Sequence, residues 1–219
     1  MKEYVCRYKS AHYDFYCKPD SFALKNITEI AERQEECYKK ITEELNIYPD
    51  FRLEYWLADT PRELGVLYGD GEPCNGFVKR PNKIFAVYND AVKGTGMHED
   101  AHIISFSLKK PTSAFISEGL AMYFDKEWQG RSNEVVCREL LDSGLLPDVP
   151  TLLDNDKFFA TGEEITYPLS GSFTKFLVKK LTMEAFLRDI YYNDAAADYL
   201  NNLFRRGIIE EFSAWIESA

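Results

Sequence analysis

Over residues 4–17 aromatic and aliphatic side chains alternate with polar ones, Tyr-Val-Cys-Arg-Tyr and then His-Tyr-Asp-Phe-Tyr-Cys. A period of two predicts one or two strands. The period then changes. Pro19-Asp-Ser21 supplies a helix start with Ser21 as its cap. Ile27, Ile30, Ala31, Cys37, Tyr38 and Ile41 then recur at the spacing of one helix face, which predicts a helix running to about Leu45. Pro49-Asp turns the chain into a strand over 51–58, and Thr60-Pro-Arg-Glu opens a short helix with proline at its first position. Residues 69–76 are turn formers. Gly76–Lys79 and residues 83–88 read as strands joined by a turn at Arg80-Pro-Asn.

Beyond Trp128 the pattern is helical. Helices are predicted over 133–143, 170–181, 183–191, 196–204 and 208–218, with a proline-containing connection over 145–156. There is no internal repeat and no low-complexity linker. Strands interleaved with helices, followed by helices alone, indicate an α+β protein. The expected organisation is one domain over 1–219, with an α/β lobe over 1–108 and a helical lobe over 109–219.

Composition narrows the class. Of 219 residues, 45% are hydrophobic and 15% aromatic, the make-up of a packed globular chain and not of a disordered one. No apolar run is long enough to span a bilayer, and the first residues lack a signal-peptide hydrophobic region, so a cytoplasmic protein is expected. The net charge of −10 opposes nucleic acid and anionic membranes as partners, and solubility alone accounts for it. Five cysteines, an odd number with no Cys-x-x-Cys spacing, are expected to be reduced and mostly buried thiols. Oligomeric state leaves no trace in the sequence.

The chemistry is concentrated in Gly94-Thr-Gly-Met-His98-Glu99-Asp-Ala-His102-Ile-Ile-Ser. Helical residues four apart differ by about 40° in direction and about 6 Å in height, so His98 and His102 can close on one metal ion from a single face. Glu99 lies about 100° round from His98, beside such a metal and not on it, where a carboxylate can take a proton from water. The chain has only 3 histidines, and two of them fall in this pentad. The third, His12, lies in the strand region and is expected to be structural. A closed structural zinc site would want further Cys or His close by. The nearest cysteines in sequence, Cys74 and Cys137, are not close.

An open site needs one more protein ligand. Glu118 is the candidate, sixteen residues beyond His102. Pro111 is expected to end the first helix, and Thr112, Ser113 and Ser117 offer caps for a second one reaching about Trp128. The other reading of Glu118 is simple preference of a carboxylate for a helix N-terminus.

His-Glu-x-x-His followed by Ser117-Glu-Gly-Leu-Ala-Met-Tyr-Phe124 resembles the gluzincins, in particular the small bacterial peptidase-MA-like metallopeptidases. That resemblance implies a zincin-like fold, zinc held by His98, His102 and Glu118, Glu99 as general base, and a peptide or protein substrate. It extends to Tyr167-Pro-Leu-Ser-Gly-Ser-Phe-Thr-Lys-Phe-Leu, and by it Tyr167, expected just before a helix, is a candidate donor to the tetrahedral oxyanion, with a buried structural tyrosine the other reading. It also implies an edge strand beside the zinc that takes up substrate backbone, for which residues 76–78 are the candidate. One position departs: many relatives carry an acidic residue where this chain has Met122, and Asp125 is the candidate replacement. No Gly-x-Met-Glu-Asn segment is present, which slightly favours endopeptidase action.

Two alternatives stand beside this reading. Peptide deformylases share the pentad but take a cysteine as third ligand, for which Cys74 in Gly-Glu-Pro-Cys-Asn-Gly is the candidate. A non-catalytic zinc-binding regulatory or interaction domain, derived from a metallopeptidase, would keep the ligands without turnover.

Overall fold

The structure, a computed structural model, describes residues 4–218. The chain divides into two compact units, Met1–Leu108 and Lys109–Ala219. The class is α+β, with a mixed five-stranded sheet and eleven α-helices among the described residues.

The first unit contains β1 (Val5–Lys9), β2 (Tyr13–Cys17), α1 (Phe22–Lys25), α2 (Ile27–Leu45), β3 (Leu53–Ala58), α3 (Pro61–Tyr68), β4 (Gly76–Lys79), β5 (Lys83–Val87) and α4 (His98–Ser105). Its sheet runs in the order β1-β2-β3-β5-β4. The three inner strands are parallel, and antiparallel β1 and β4 form the two edges. Central β3 is almost wholly buried, as a strand covered on both faces must be. Trp56, Ala58, Phe77, Phe85 and Val87 pack with Leu64 of α3 on one face. Successive side chains alternate, so Gly76 and its register partner Ala86 belong to the other face, where α4 packs against β4 and β5. Also on that face Tyr13 stacks on Phe15 and meets Tyr38 of α2 edge-on.

Local signals explain most of these boundaries. Ser21 caps α1 by accepting from Leu24 N at 3.1 Å, and Thr60 caps α3 by accepting from Glu63 N at 3.2 Å, with Pro61 at the first turn. The helix expected to run on to Leu45 is broken at Asn26, whose side-chain amide donates to Phe22 O at 2.8 Å and closes the first segment. The strand expected over 51–58 begins at Leu53.

The second unit contains α5 (Ala114–Asp125), β6 (Glu127–Trp128), β7 (Arg131–Ser132), α6 (Asn133–Asp142), a 3-10 turn (Val149–Leu153), α7 (Asn155–Thr161), α8 (Glu163–Leu181), α9 (Met183–Phe186), a π-helical turn (Leu187–Tyr191), α10 (Ala196–Phe204) and α11 (Ile208–Ser218). Its centre is the pairing of α5 with α8. Two glycines permit it. A Cβ on Gly119 would stand 2.9 Å from Ser170 O, and one on Gly171 would stand 2.6 Å from Met122 Cβ. Phe173, Phe176, Phe212 and Trp215 form an aromatic cluster between α8 and α11.

Three expectations are corrected here. Helix α5 stops at Asp125 and not near Trp128, because Lys126 takes a left-handed conformation (φ 65°). Gln129 and Gly130, both at positive φ (51° and 78°), then form the turn of a two-residue hairpin. The connection over 145–156 contains the start of α7, capped by Asp154 accepting from Lys157 N at 3.1 Å. Helix α8 begins at Glu163, seven residues earlier than expected. Pro168 lies inside it, having no N–H to reach back to residue 164, while Gly162 O already accepts from Ile165 and Thr166 N at 3.2 and 3.0 Å to start the first turn.

Among the described residues no helix is long and apolar enough to cross a membrane. Among the described residues no disulfide forms, and three of the five cysteines are buried.

Candidate metal centre

The pentad forms a helix as its spacing predicts. Helix α4 runs His98–Ser105, ending well before Pro111. Its entry is set by close backbone packing. Gly94 N donates to Val87 O at 2.7 Å, and a Cβ at Gly94 would stand 2.8 Å from that oxygen and 2.9 Å from Asn75 O. Met97, at the cap position, makes no side-chain cap bond. Gln34 of α2 ties the helix entry down without capping it: its Nε2 donates to Gly96 O at 3.0 Å and to Asp100 Oδ2 at 2.8 Å.

The two imidazoles lie 4.9 Å apart, centre to centre, with their planes at 84°. His98 is half-buried and His102 buried, and His102 also packs on Phe106 at 5.2 Å. One ligand atom from each of His98, His102 and Glu118 lies within 4.8 Å of the others. Glu118 is half-buried on α5, one residue before the glycine that lets α5 approach α8. Two neutral imidazoles and a carboxylate are a donor set suited to a divalent transition metal, and three protein donors match an open, catalytic type of site. The residues fit a metal ion.

Glu99, half-buried, points its carboxylate at the sheet edge. A Cβ built on Gly76 of β4 would meet Glu99 Oε1 at 2.4 Å and Cδ at 3.0 Å. The other acid of the pentad behaves differently. Asp100 is fully buried; its Oδ2 accepts from Tyr13 Oη at 2.7 Å as well as from Gln34. Burial pushes its carboxyl well above the usual carboxylate range, against the lowering effect of those two hydrogen bonds. Around it Tyr55 Oη, Gln34 Oε1 and Asp100 Oδ1 are buried without a hydrogen-bond partner among the described residues.

The remaining candidates fall outside the ligand group. His12 pairs with Glu35 at 2.6 Å and stacks on Tyr38 at 3.9 Å, a structural role. Cys74 is half-buried, and its thiol is pushed up by burial and by the charges of Asp70 and Glu99, which opposes the thiolate a metal requires. Met122 is fully buried against Gly171, so that position faces α8. Asp125 ends α5, half-buried, and is not in the ligand group. Tyr167 lies within α8 and not just before it; its ring packs on Trp128 at 5.1 Å and Phe158 at 6.0 Å.

Sequence reasoning passed over Asp100, Gln34 and the Gly76–Glu99 approach. The signal for Asp100 was present: a carboxylate about 200° from His98 on the pentad's helix points away from the ligand face and into the body of the unit.

No protein-family model, curated protein or solved structure matches this chain.

Proposed function

We propose that this protein is a zinc-dependent peptidase with a zincin-like, gluzincin-type active site. The observation that carries the reading is the convergence of one donor atom each from His98, His102 and Glu118, with Glu99 at the next helical position beside it. Zinc held by those three residues would act as a Lewis acid, lowering the pKa of water and polarising a carbonyl.

The chain's own residues then have defined work. Glu99 accepts the proton of the attacking water and returns it to the leaving amine, as general base and then general acid. Among the described residues β4 is an edge strand paired with β5 alone, and Gly76 at its start lies against the Glu99 carboxylate. An extended peptide adding to that edge by backbone hydrogen bonds would lie alongside the general base. Tyr167 is proposed to donate to the oxyanion, an assignment that comes from the sequence resemblance and is tested by Tyr167→Phe. The substrate class is a peptide or protein, and the cytoplasm is the proposed compartment.

The test pairs metal content with turnover. Purified, metal-replete protein should hold about one zinc per chain and hydrolyse members of a diverse peptide library, with a chelator abolishing the activity. Glu99→Gln should keep zinc and melting temperature while hydrolysis falls by about 10²-fold or more. Protein that holds no metal sinks the proposal. Iron in place of zinc redirects it, since two histidines and a carboxylate also suit non-haem iron. Zinc held with no peptide cleaved turns it to the non-catalytic zinc-binding domain.

A further inference from the structure

Resting on that metal-centre reading, we infer that Asp100, gripped by Tyr13 and Gln34, is a positioning residue that sets the rotation of α4 about its own axis. The geometry is that of a clamp on the back of the helix. Taking His98 as 0°, His102 stands near 40° and Asp100 near 200°, so the acid projects opposite the mean direction of the two imidazoles. The helix cannot turn to carry His98, Glu99 and His102 off their directions without drawing Asp100 out of its hydrogen bonds.

Three features make this a constraint on the first turn. Helix α4 has only 8 residues, and its cap position makes no side-chain cap bond. Gln34 spans the helix entry from Gly96 O to Asp100 Oδ2, using both protons of one amide. Tyr13, Gln34 and Asp100 are all 0% exposed, so water cannot replace the bonds if they break. A rotation of about 10° moves an imidazole nitrogen by about 1 Å, the scale at which positioned chemistry is lost. A solvated surface role for Asp100 is excluded by its burial, and a packing role alone would be filled better by leucine than by an acid.

The experiment compares Tyr13→Phe, Gln34→Leu, Asp100→Leu and the conservative Asp100→Asn with a packing control, Ile41→Val, on the same α2 helix. Folding is checked by circular dichroism and melting. Helix orientation is read in two ways: from the visible absorption and affinity of the Co(II)-loaded protein, and from the imidazole NMR signals of His98 and His102 in metal-free protein. In Tyr13→Phe, Gln34→Leu and Asp100→Leu the Co(II) bands and both imidazole signals should shift. Cobalt affinity should fall about tenfold or more. Asp100→Asn, which keeps an acceptor for Tyr13, should recover most of that loss, and Ile41→Val should resemble wild type despite its lower melting point. Should Asp100→Leu fail to fold, Tyr13→Phe decides, since it removes one hydroxyl and keeps the ring in place. Folded Tyr13→Phe and Gln34→Leu variants with unshifted cobalt bands and imidazole signals would overturn the inference. A wild type that binds no cobalt overturns the metal reading instead, and the metal-free imidazole signals then judge the clamp by themselves.

Discussion

The carboxylate of Glu99 occupies the space that a side chain at position 76 would need: a Cβ on Gly76 would stand 2.4 Å from Glu99 Oε1. Gly76 pairs in register with Ala86, so two small residues face α4 at the place where the edge strand passes the pentad. The φ of Gly76 is not in the left-handed region, so what the glycine supplies here is space, not backbone freedom.

Gly76→Ala should therefore fold and melt within a few degrees of wild type, because the group in the way is the end of a flexible side chain. Peptide hydrolysis should fall by about tenfold or more as Glu99 is pushed from its place. Thermal melting alongside turnover checks this, and undiminished turnover would separate Glu99 from the chemistry.

The third ligand is tested by paired substitutions. Glu118→Ala should weaken zinc affinity by about 10²-fold or more, since it leaves two protein donors. Cys74→Ser should leave affinity unchanged, given the raised thiol and the position of Cys74 outside the ligand group. Competition against a chromophoric chelator measures both. The reverse result, together with deformylation of a formyl-Met peptide, would favour the deformylase-like site.

The α5–α8 contact sets a prediction for stability. At Gly171 an added Cβ would lie 2.6 Å from Met122 Cβ and 2.7 Å from Asn133 Nδ2, so Gly171→Ala forces two buried groups apart. Overpacking of this kind costs about 1–3 kcal/mol, which chemical denaturation would read as a lower midpoint at unchanged slope. A gain in stability, the usual result of replacing a helical glycine by alanine, would mean that the helices do not meet there.

Acid sensitivity has a named source in the first unit. Asp14 accepts from Arg52 Nε at 2.9 Å, Arg52 Nη2 at 2.6 Å and Lys9 Nζ at 3.2 Å. Burial raises its carboxyl, but the hydrogen bonds from Arg52 and Lys9 outweigh that and hold it below the ordinary value. A carboxylate lowered in the folded state contributes stability that is complete above its unfolded pKa, about 4, and is lost as pH falls through the folded value. Asp14→Asn should thus melt below wild type at pH 7, with the gap closing as pH falls below the ordinary carboxylate range. The pair is partly solvated, so the gap is expected to be about 1 kcal/mol or less. A gap independent of pH would assign the loss to something other than charge.

Much of the site was legible in the chain because its chemistry is local. A four-residue spacing puts His98 and His102 on one helix face whatever surrounds them, and the alternation before Cys17 and the caps at Ser21 and Thr60 act over a few residues. The misreadings share a cause. The helix expected from residue 170 begins at Glu163 and carries Pro168 inside, with its first turn already begun at Gly162. The end of α5 depends on one left-handed residue, Lys126, for which lysine is no signal.

By itself, then, the sequence determined the α+β class and the helical pentad with both histidines on one face, and it named Glu118 as a candidate partner for them, since these follow from periodicity and side-chain chemistry. Only the tertiary structure decided what lies against them. The order of the sheet put Gly76 on an edge strand under Glu99, and the packing of α2 and β2 brought Gln34 and Tyr13 to the back of α4. Such approaches join residues as far apart in the chain as Tyr13 and Asp100. No periodicity encodes them, because they depend on which faces of separate elements are buried together.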